Sequence, residues 1–205
     1  VTNNSKIHAL GGYVDLDATL NVNNEVVADG LGIIADDDIF ITAWKGNVSN
    51  SGNIYSKNGY VVLDAGFVYD TENNNDTTGV HNVTNTGSIK ADNGDVTITS
   101  HNGNVHNSAD ITVQKGNVVI SAYQHKGYNG AISSDIGNIT NDCSGDIAIL
   151  GQGNIVLNAD NDINNTDDFY TVNGNITIEA NGNVVNGDGN GKGIIETEFG
   201  NVIIT

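Results

Sequence analysis

This chain contains no proline, no arginine and a single cysteine, Cys143. One cysteine excludes an internal disulfide. Without arginine, and with seven lysines against 25 acidic residues for a formal net charge of −18, the chain is unsuited to nucleic acid, whose binding depends on basic side chains neutralising phosphates. The same balance argues against anionic lipid surfaces and describes a soluble, self-repelling exterior. No stretch is long and apolar enough to span a membrane as a helix. Val1 to Leu10 has neither the basic start nor the apolar run of a signal peptide. The missing proline gains meaning beside what is plentiful. Twenty-six glycines and abundant asparagine suit a chain that turns every few residues through positions of positive φ, which glycine and then asparagine tolerate best.

The valines and isoleucines are placed periodically. Gly94-Asp95-Val96-Thr97-Ile98-Thr99-Ser100 returns as Gly116-Asn117-Val118-Val119-Ile120-Ser121-Ala122, about 22 residues later. Three short alternating runs fill each unit. Run A opens at Gly12, Asp37, Gly59, Gly94, Gly116, Gly153, Gly174 and Gly200, with inward triplets such as Val61, Leu63, Ala65 and Ile155, Leu157, Ala159. Run B opens at Leu20, Gly46, His81, Gly103, Gly137, Asn161 and Gly182. It carries one inward aliphatic and, two residues on, an asparagine: Asn24, Asn50, Asn85, Asn107, Asn141, Asn165 and Asn186. Run C opens at Gly52, Gly87, Ala109, Gly145, Asp167 and Gly193, and is ill-defined in the first turn, between Val26 and Ile34.

Period-two alternation marks half-buried strands. Copies in constant phase cannot bury their apolar faces alone, so they must stack. The pattern predicts an all-β parallel β-helix, a single solenoid over residues 1–205 with three strands per turn and about seven turns of about 21–22 residues. The chain is expected to be a segment of a longer rod. Unequal run spacing excludes a left-handed helix of hexapeptides, and a β-sandwich would not return the same phrase in the same phase. By strand parity the run B asparagines point inward and should form a ladder of side-chain amides from turn to turn. The asparagines beside the leading glycines, such as Asn47, Asn53, Asn104, Asn117, Asn154, Asn175, Asn183 and Asn201, are expected to serve local turn chemistry.

Two insertions, 66–80 and 123–136, leave the same run A to run B corner one ordinary turn apart, and a smaller one, 187–192, sits at the run B to run C corner. Insertions of this kind map to one face, often the binding face. Phe67, Tyr69, Tyr123, His125 and Tyr128 are the expected ligand contacts there, since aromatic rings give contact area at low entropic cost and stack on sugars. The alternative is that these rings fold back and cap the corner. Trp44, at the same kind of corner, is expected to be packed or partly exposed.

Asp36-Asp37-Asp38, Asp160 with Asp162, and Asp167-Asp168 are candidate carboxylates for acid–base chemistry, but successive strand residues point to opposite faces and do not converge automatically. No EF-hand spacing or calcium nonapeptide is present, Gly187-Asp188-Gly189-Asn190-Gly191 included. His8, His81, His101, His106 and His125 have no zinc spacing. No enzyme activity, cofactor or metal is therefore expected.

Gly116 to Ala122, Gly153 to Asn165 and Gly174-Asn175-Ile176-Thr177-Ile178-Glu179-Ala180 resemble the repeats of filamentous haemagglutinin-type exoproteins, large bacterial surface or secreted adhesins exported by two-partner or autotransporter routes. The resemblance covers nearly the whole chain at the level of repeats. It implies a right-handed β-helix and an extracellular or cell-surface rod that displays a binding site or spans a distance, with a host or neighbouring-cell surface or a glycan as partner. The family's secretion-domain signature contains an Asn-Pro pair, so that domain is absent from a chain without proline. The expected function is a structural or adhesive shaft segment. The alternatives are a polysaccharide-degrading β-helix enzyme and a filament subunit that associates end to end through unpaired strands.

Overall fold

The computed structural model describes residues 1–25, 32–66, 79–123, 137–142, 145–189 and 192–205. Among them, 24 strands form three parallel sheets of eight strands each. Sheet A holds the run A strands, from Val14–Ala18 through Val96–Ser100 to Val202–Ile204. Sheet B holds the run B strands, from Thr2–Asn3 through Val105–Asn107 to Val184–Asn186. Sheet C holds the run C strands, from Ile7–Ala9 through Ile111–Lys115 to Ile195–Phe199. Every strand but the two at the ends of each sheet pairs with its counterparts one turn before and one turn after, so the chain is a β-solenoid of about seven turns. Val96 lies opposite Val61 on one side and Val118 on the other, as their common phase requires.

Parity is the reason these segments form strands. Val61–Ala65 and Val96–Ser100 alternate buried and half-buried residues along their length. In one turn Val96, Ile98, Val105, Ile111 and Val113 all have 0–1% exposure. Removing each such side chain from water stabilises by about 1.5–3 kcal/mol. The first and last turns have a neighbour on one side alone, and Val202 and Ile204 remain 43% and 48% exposed.

Three features go beyond the repeat pattern. Thr2–Asn3 and Ile7–Ala9 belong to a turn that precedes the first run A, where no glycine phrase announces it. Run C of the next turn is Ile33–Ala35, in register with Ile54–Ser56. In sheet C the strand Ile147–Gln152 carries one extra residue between Ile149 and Gln152, a bulge beside Leu150, which is 47% exposed.

The corners correct one expectation. Short of the last turn, the asparagine beside a leading glycine does more than shape its own turn: its Oδ1 accepts the backbone N–H of the equivalent residue one turn later. Asn104 Oδ1 takes Asn138 N–H at 2.9 Å, Asn117 takes Asn154 at 2.9 Å, Asn154 takes Asn175 at 2.8 Å and Asn175 takes Asn201 at 2.9 Å. Aspartate does the same at Asp38, Asp95 and Asp162, toward Tyr60, Asn117 and Asn183 at 2.8, 2.7 and 2.6 Å. The reason is geometric. Corner N–H groups have no strand partner, and an acceptor three bonds from Cα reaches the next turn.

The glycines answer the same proximity. A Cβ on Gly94, Gly116, Gly153, Gly174 or Gly200 would fall inside contact distance of the carbonyl oxygen of the preceding glycine in the column, as Gly116 O lies against Gly153. Gly153→Ala is therefore expected to destabilise by more than about 2 kcal/mol. Gly12→Ala, at the same repeat position but with nothing within 4 Å, should leave the urea midpoint unchanged. Equal midpoints for the two variants would show that the column tolerates a methyl group.

Candidate functional site

Polar side chains gather in three places: inside the solenoid, at its corners, and along the outer edge from which the two long insertions leave.

Inside, the predicted amides form one continuous chain. Asn24 Nδ2 donates to Asn50 Oδ1 at 2.6 Å, Asn50 to Asn85 at 2.6 Å, Asn85 to Asn107 at 2.7 Å, Asn107 to Asn141 at 2.7 Å, Asn141 to Asn165 at 2.8 Å and Asn165 to Asn186 at 2.7 Å. Asn24, Asn50, Asn85, Asn107, Asn141 and Asn165 are buried, while Asn186, in the last turn, is exposed. Asn3 extends the ladder by one step at 2.8 Å to Asn24. Sequence reading missed it, and its only signal was its two-residue distance from Val1. The second amide hydrogen goes to a carbonyl at the next corner, Asn107 to Ala109 O at 2.9 Å and Asn165 to Asp167 O at 2.6 Å. The six buried members are shut off from solvent, and their chemistry is structural.

The candidate carboxylates are largely engaged in the scaffold. Asp36 Oδ2 accepts Gly11 N–H at 2.8 Å, and Asp168 Oδ1 accepts Gly193 and Ile194 N–H at 3.1 and 2.8 Å. Asp167, 1% exposed, accepts Gly145 N–H at 3.1 Å and pairs with Lys192 Nζ at 2.8 Å. Its carboxylate holds the Lys192 ammonium above the ordinary lysine range. On the outer face of sheet C, Tyr55 Oη donates to Asp92 Oδ2 at 2.6 Å, beneath Lys90 Nζ at 3.2 Å from Asp92 Oδ1. That hydrogen bond pushes the Tyr55 phenol up to about 12 and pulls Asp92 down, so Tyr55 stays protonated at neutral pH. Among the described residues, no three His, Cys, Asp or Glu side chains group to hold a metal ion.

The run A to run B edge is different. Its corner residues reach back to the outward-facing side chain of the turn before. Trp44 Nε1 donates to Asp17 Oδ1, and His101 Nε2 lies 3.0 Å from Asp64 Oδ1. Tyr123, 40% exposed, follows one turn after His101, with ring centroids 6.2 Å apart. Beyond Tyr123 a cleft of about 520 Å³ opens, lined by Asn158, Asp160, Glu179, Asn181 and Thr205. Of the five predicted ligand contacts, Tyr123 is on this edge; Phe67, Tyr69, His125 and Tyr128 lie outside the described residues. Trp44, His101, Asp160 and Glu179 were not singled out as contacts from sequence. Their common seventh or fifth place after the run A start was the available signal.

His81 sits at the inner side of this edge, 7% exposed, with its ring against Gly66 and Gly79. Gly66 has φ of +77° and leaves no room for a side chain over the ring. Burial lowers the His81 pKa below 6.5. The unfolded chain therefore takes up a proton first as pH falls, and stability should drop from pH 6.5 downward until the folded-state pKa is passed. His81→Phe keeps a ring without a titrating group. Urea midpoints of the two proteins measured across pH 7.5 to 5 should diverge below 6.5; parallel curves would mean that His81 protonates without penalty.

The amide ladder is tested at Asn107. Asn107→Ala should cost about 1–3 kcal/mol, because it orphans Asn85 Nδ2 and Asn141 Oδ1. Asn107→Asp at neutral pH should cost more, since a carboxylate has no hydrogen to give Asn141 Oδ1 or Ala109 O, and part of the loss should be recovered in mild acid. An Asp variant as stable as the Ala variant at pH 7 would place water in the ladder.

Comparison with protein-family models, curated proteins and solved structures gives no match to this chain. Its likeness to haemagglutinin-type repeats therefore rests on the repeat phrases themselves.

Proposed function

We propose that the chain is a structural and adhesive shaft segment of a secreted or surface-exposed bacterial exoprotein, in contact with its ligand along the edge that bears the insertions 66–80 and 123–136. The observation that carries this reading is a division of labour. Polar groups inside the solenoid and at its corners bond turn to turn, whereas the run A to run B edge gathers an exposed ring, carboxylates and amides around a cleft. A rod with a spent interior and one chemically varied edge suits display better than turnover, and no catalytic step belongs to this reading.

Shortening both insertions to the compact corner that follows Ser100 tests it. The shaft should keep its β-sheet circular dichroism, because the stacked strands lie outside the insertions, and binding to cells or immobilised glycans should fall at least tenfold. If binding survives undiminished, the edge is not the site and this segment is a spacer.

A further inference from the structure

The outer face of sheet B carries a modification motif, and we propose that it is a sugar-bearing face: Asn47, Asn82, Asn138 and Asn164, with Asn175 at the start of a sheet A strand, accept N-linked glycosyl groups. This goes beyond the adhesive-edge reading and does not depend on which ligand that edge takes.

Asn-X-Ser/Thr is an acceptor motif for N-linked sugar. In an extended chain the hydroxyl two residues on lies on the same side as the asparagine, within reach of its amide. Six such triplets fall among the described residues, at Asn3, Asn47, Asn82, Asn138, Asn164 and Asn175, and Asn75-Asp76-Thr77 lies outside them. Composition alone produces some of these, and the fold then divides them.

Asn3 is inside. It is 9% exposed, gives its Nδ2 hydrogen to Asn24 Oδ1 at 2.8 Å and accepts Ser5 N–H at 3.2 Å. The ladder members after it, Asn24 to Asn186, have no serine or threonine two residues on. The other five are outside: Asn47 and Asn164 are exposed, and Asn82, Asn138 and Asn175 are half-buried. In four of them Oδ1 is fixed by a backbone N–H of the next turn, at 2.7 Å for Asn47, 2.8 Å for Asn82, 3.1 Å for Asn138 and 2.9 Å for Asn175. Nδ2 is the atom left over. Asn138 gives one hydrogen to Asn104 Oδ1 at 3.2 Å and keeps the other. Ser49, Thr84, Thr140 and Asn164 itself share one outward column of sheet B, interrupted only by His106.

Transfer forms a bond from Nδ2 to the anomeric carbon of an activated sugar and breaks the bond from that carbon to a phosphate oxygen. The pyrophosphate carrier leaves with the electron pair, and the Nδ2 proton goes to the transferase. Oδ1 takes no part, so the turn-to-turn bond survives the reaction. Asn47 and Asn82 stand on successive turns, about 4.8 Å apart. That leaves room for a single sugar on each and not for two branched oligosaccharides, which points to a nucleoside diphosphate hexose as donor.

The test incubates the whole folded chain with UDP-glucose and a soluble asparagine glucosyltransferase of Asn-X-Ser/Thr specificity, and maps hexose by peptide mass spectrometry. A tryptic digest of the same chain, treated alike, removes the fold. In the folded chain the five outer sites should label and Asn3 should label at least tenfold more slowly; in the digest Asn3 should label with the rest. Thr84→Val and Thr140→Val should abolish labelling at Asn82 and Asn138 respectively and nowhere else, and Thr84→Ser should retain it. Circular dichroism confirms that each variant is folded. Asn3 labelling as fast as the outer sites in the folded chain, or outer sites that label in the digest alone, would overturn the proposal. Chain purified from the cells that make it should carry single hexoses at these asparagines, and bare asparagine at all five would also overturn it. Bare sites on a chain whose cell binding is still lost on loop shortening would remove the sugar face and leave the adhesive edge standing.

Discussion

Among the described residues, successive turns of this chain approach one another at strand spacing in the sheets and at the glycine corners alike, and the rest of the structure follows from that closeness. In a sheet the spacing is set by backbone hydrogen bonds. At a corner the chain changes direction, the ladder is interrupted, and the N–H group there must find another acceptor or lose about as much as a hydrogen bond is worth. Glycine removes the side chain that would collide with the carbonyl of the previous turn. Asparagine or aspartate, next in sequence, supplies the acceptor that the backbone no longer provides. The Gly-Asn phrase is thus one device in two residues, and its recurrence reflects a constraint renewed at every turn.

Part of the acidity of the protein has the same origin. Asp38, Asp95 and Asp162 occupy places that asparagine fills in other turns, and they accept the same N–H. A backbone donor cannot distinguish a carboxylate from an amide oxygen by position. The corner columns therefore tolerate either, and charge accumulates on the outside without disturbing the stack. The inner column has no such freedom, because each residue there must both give and accept. Six of its predicted members are buried, and every one is asparagine.

Much of this was legible in the sequence. The strand positions, the phase between copies and the inward asparagines follow from parity and repetition, both local properties of the text. What escaped was contact between turns that the repeat phrase does not encode. Asn3 was missed because its turn lacks the glycine phrase. The partners of Asn104 and Asn154 were sought within their own turns, although the nearest donor lay a full turn away. The bulge after Ile149 was not anticipated, since an extra residue adds no distinctive signature to the repeat phrase. At the edge, Trp44 and His101 each reach backward to an aspartate of the preceding turn. That pairing depends on two positions in different copies and shows only when the copies are stacked.

The inner ladder has one more property. In every step the earlier residue gives the hydrogen and the later one receives it, from Asn3 to Asn186. The amide dipoles consequently add along the axis, with the N–H ends toward the C-terminus, much as peptide dipoles add in a helix. Reversing one amide creates two faults at once, oxygen facing oxygen on one side and nitrogen facing nitrogen on the other. Neither fault heals unless the reversal spreads to an end of the row, and each reversed amide would also withdraw the hydrogen given to its corner carbonyl. The column behaves as a one-dimensional ordered array with a built-in direction. A rod assembled on it carries a vector down its centre that its three sheets, viewed from outside, do not reveal.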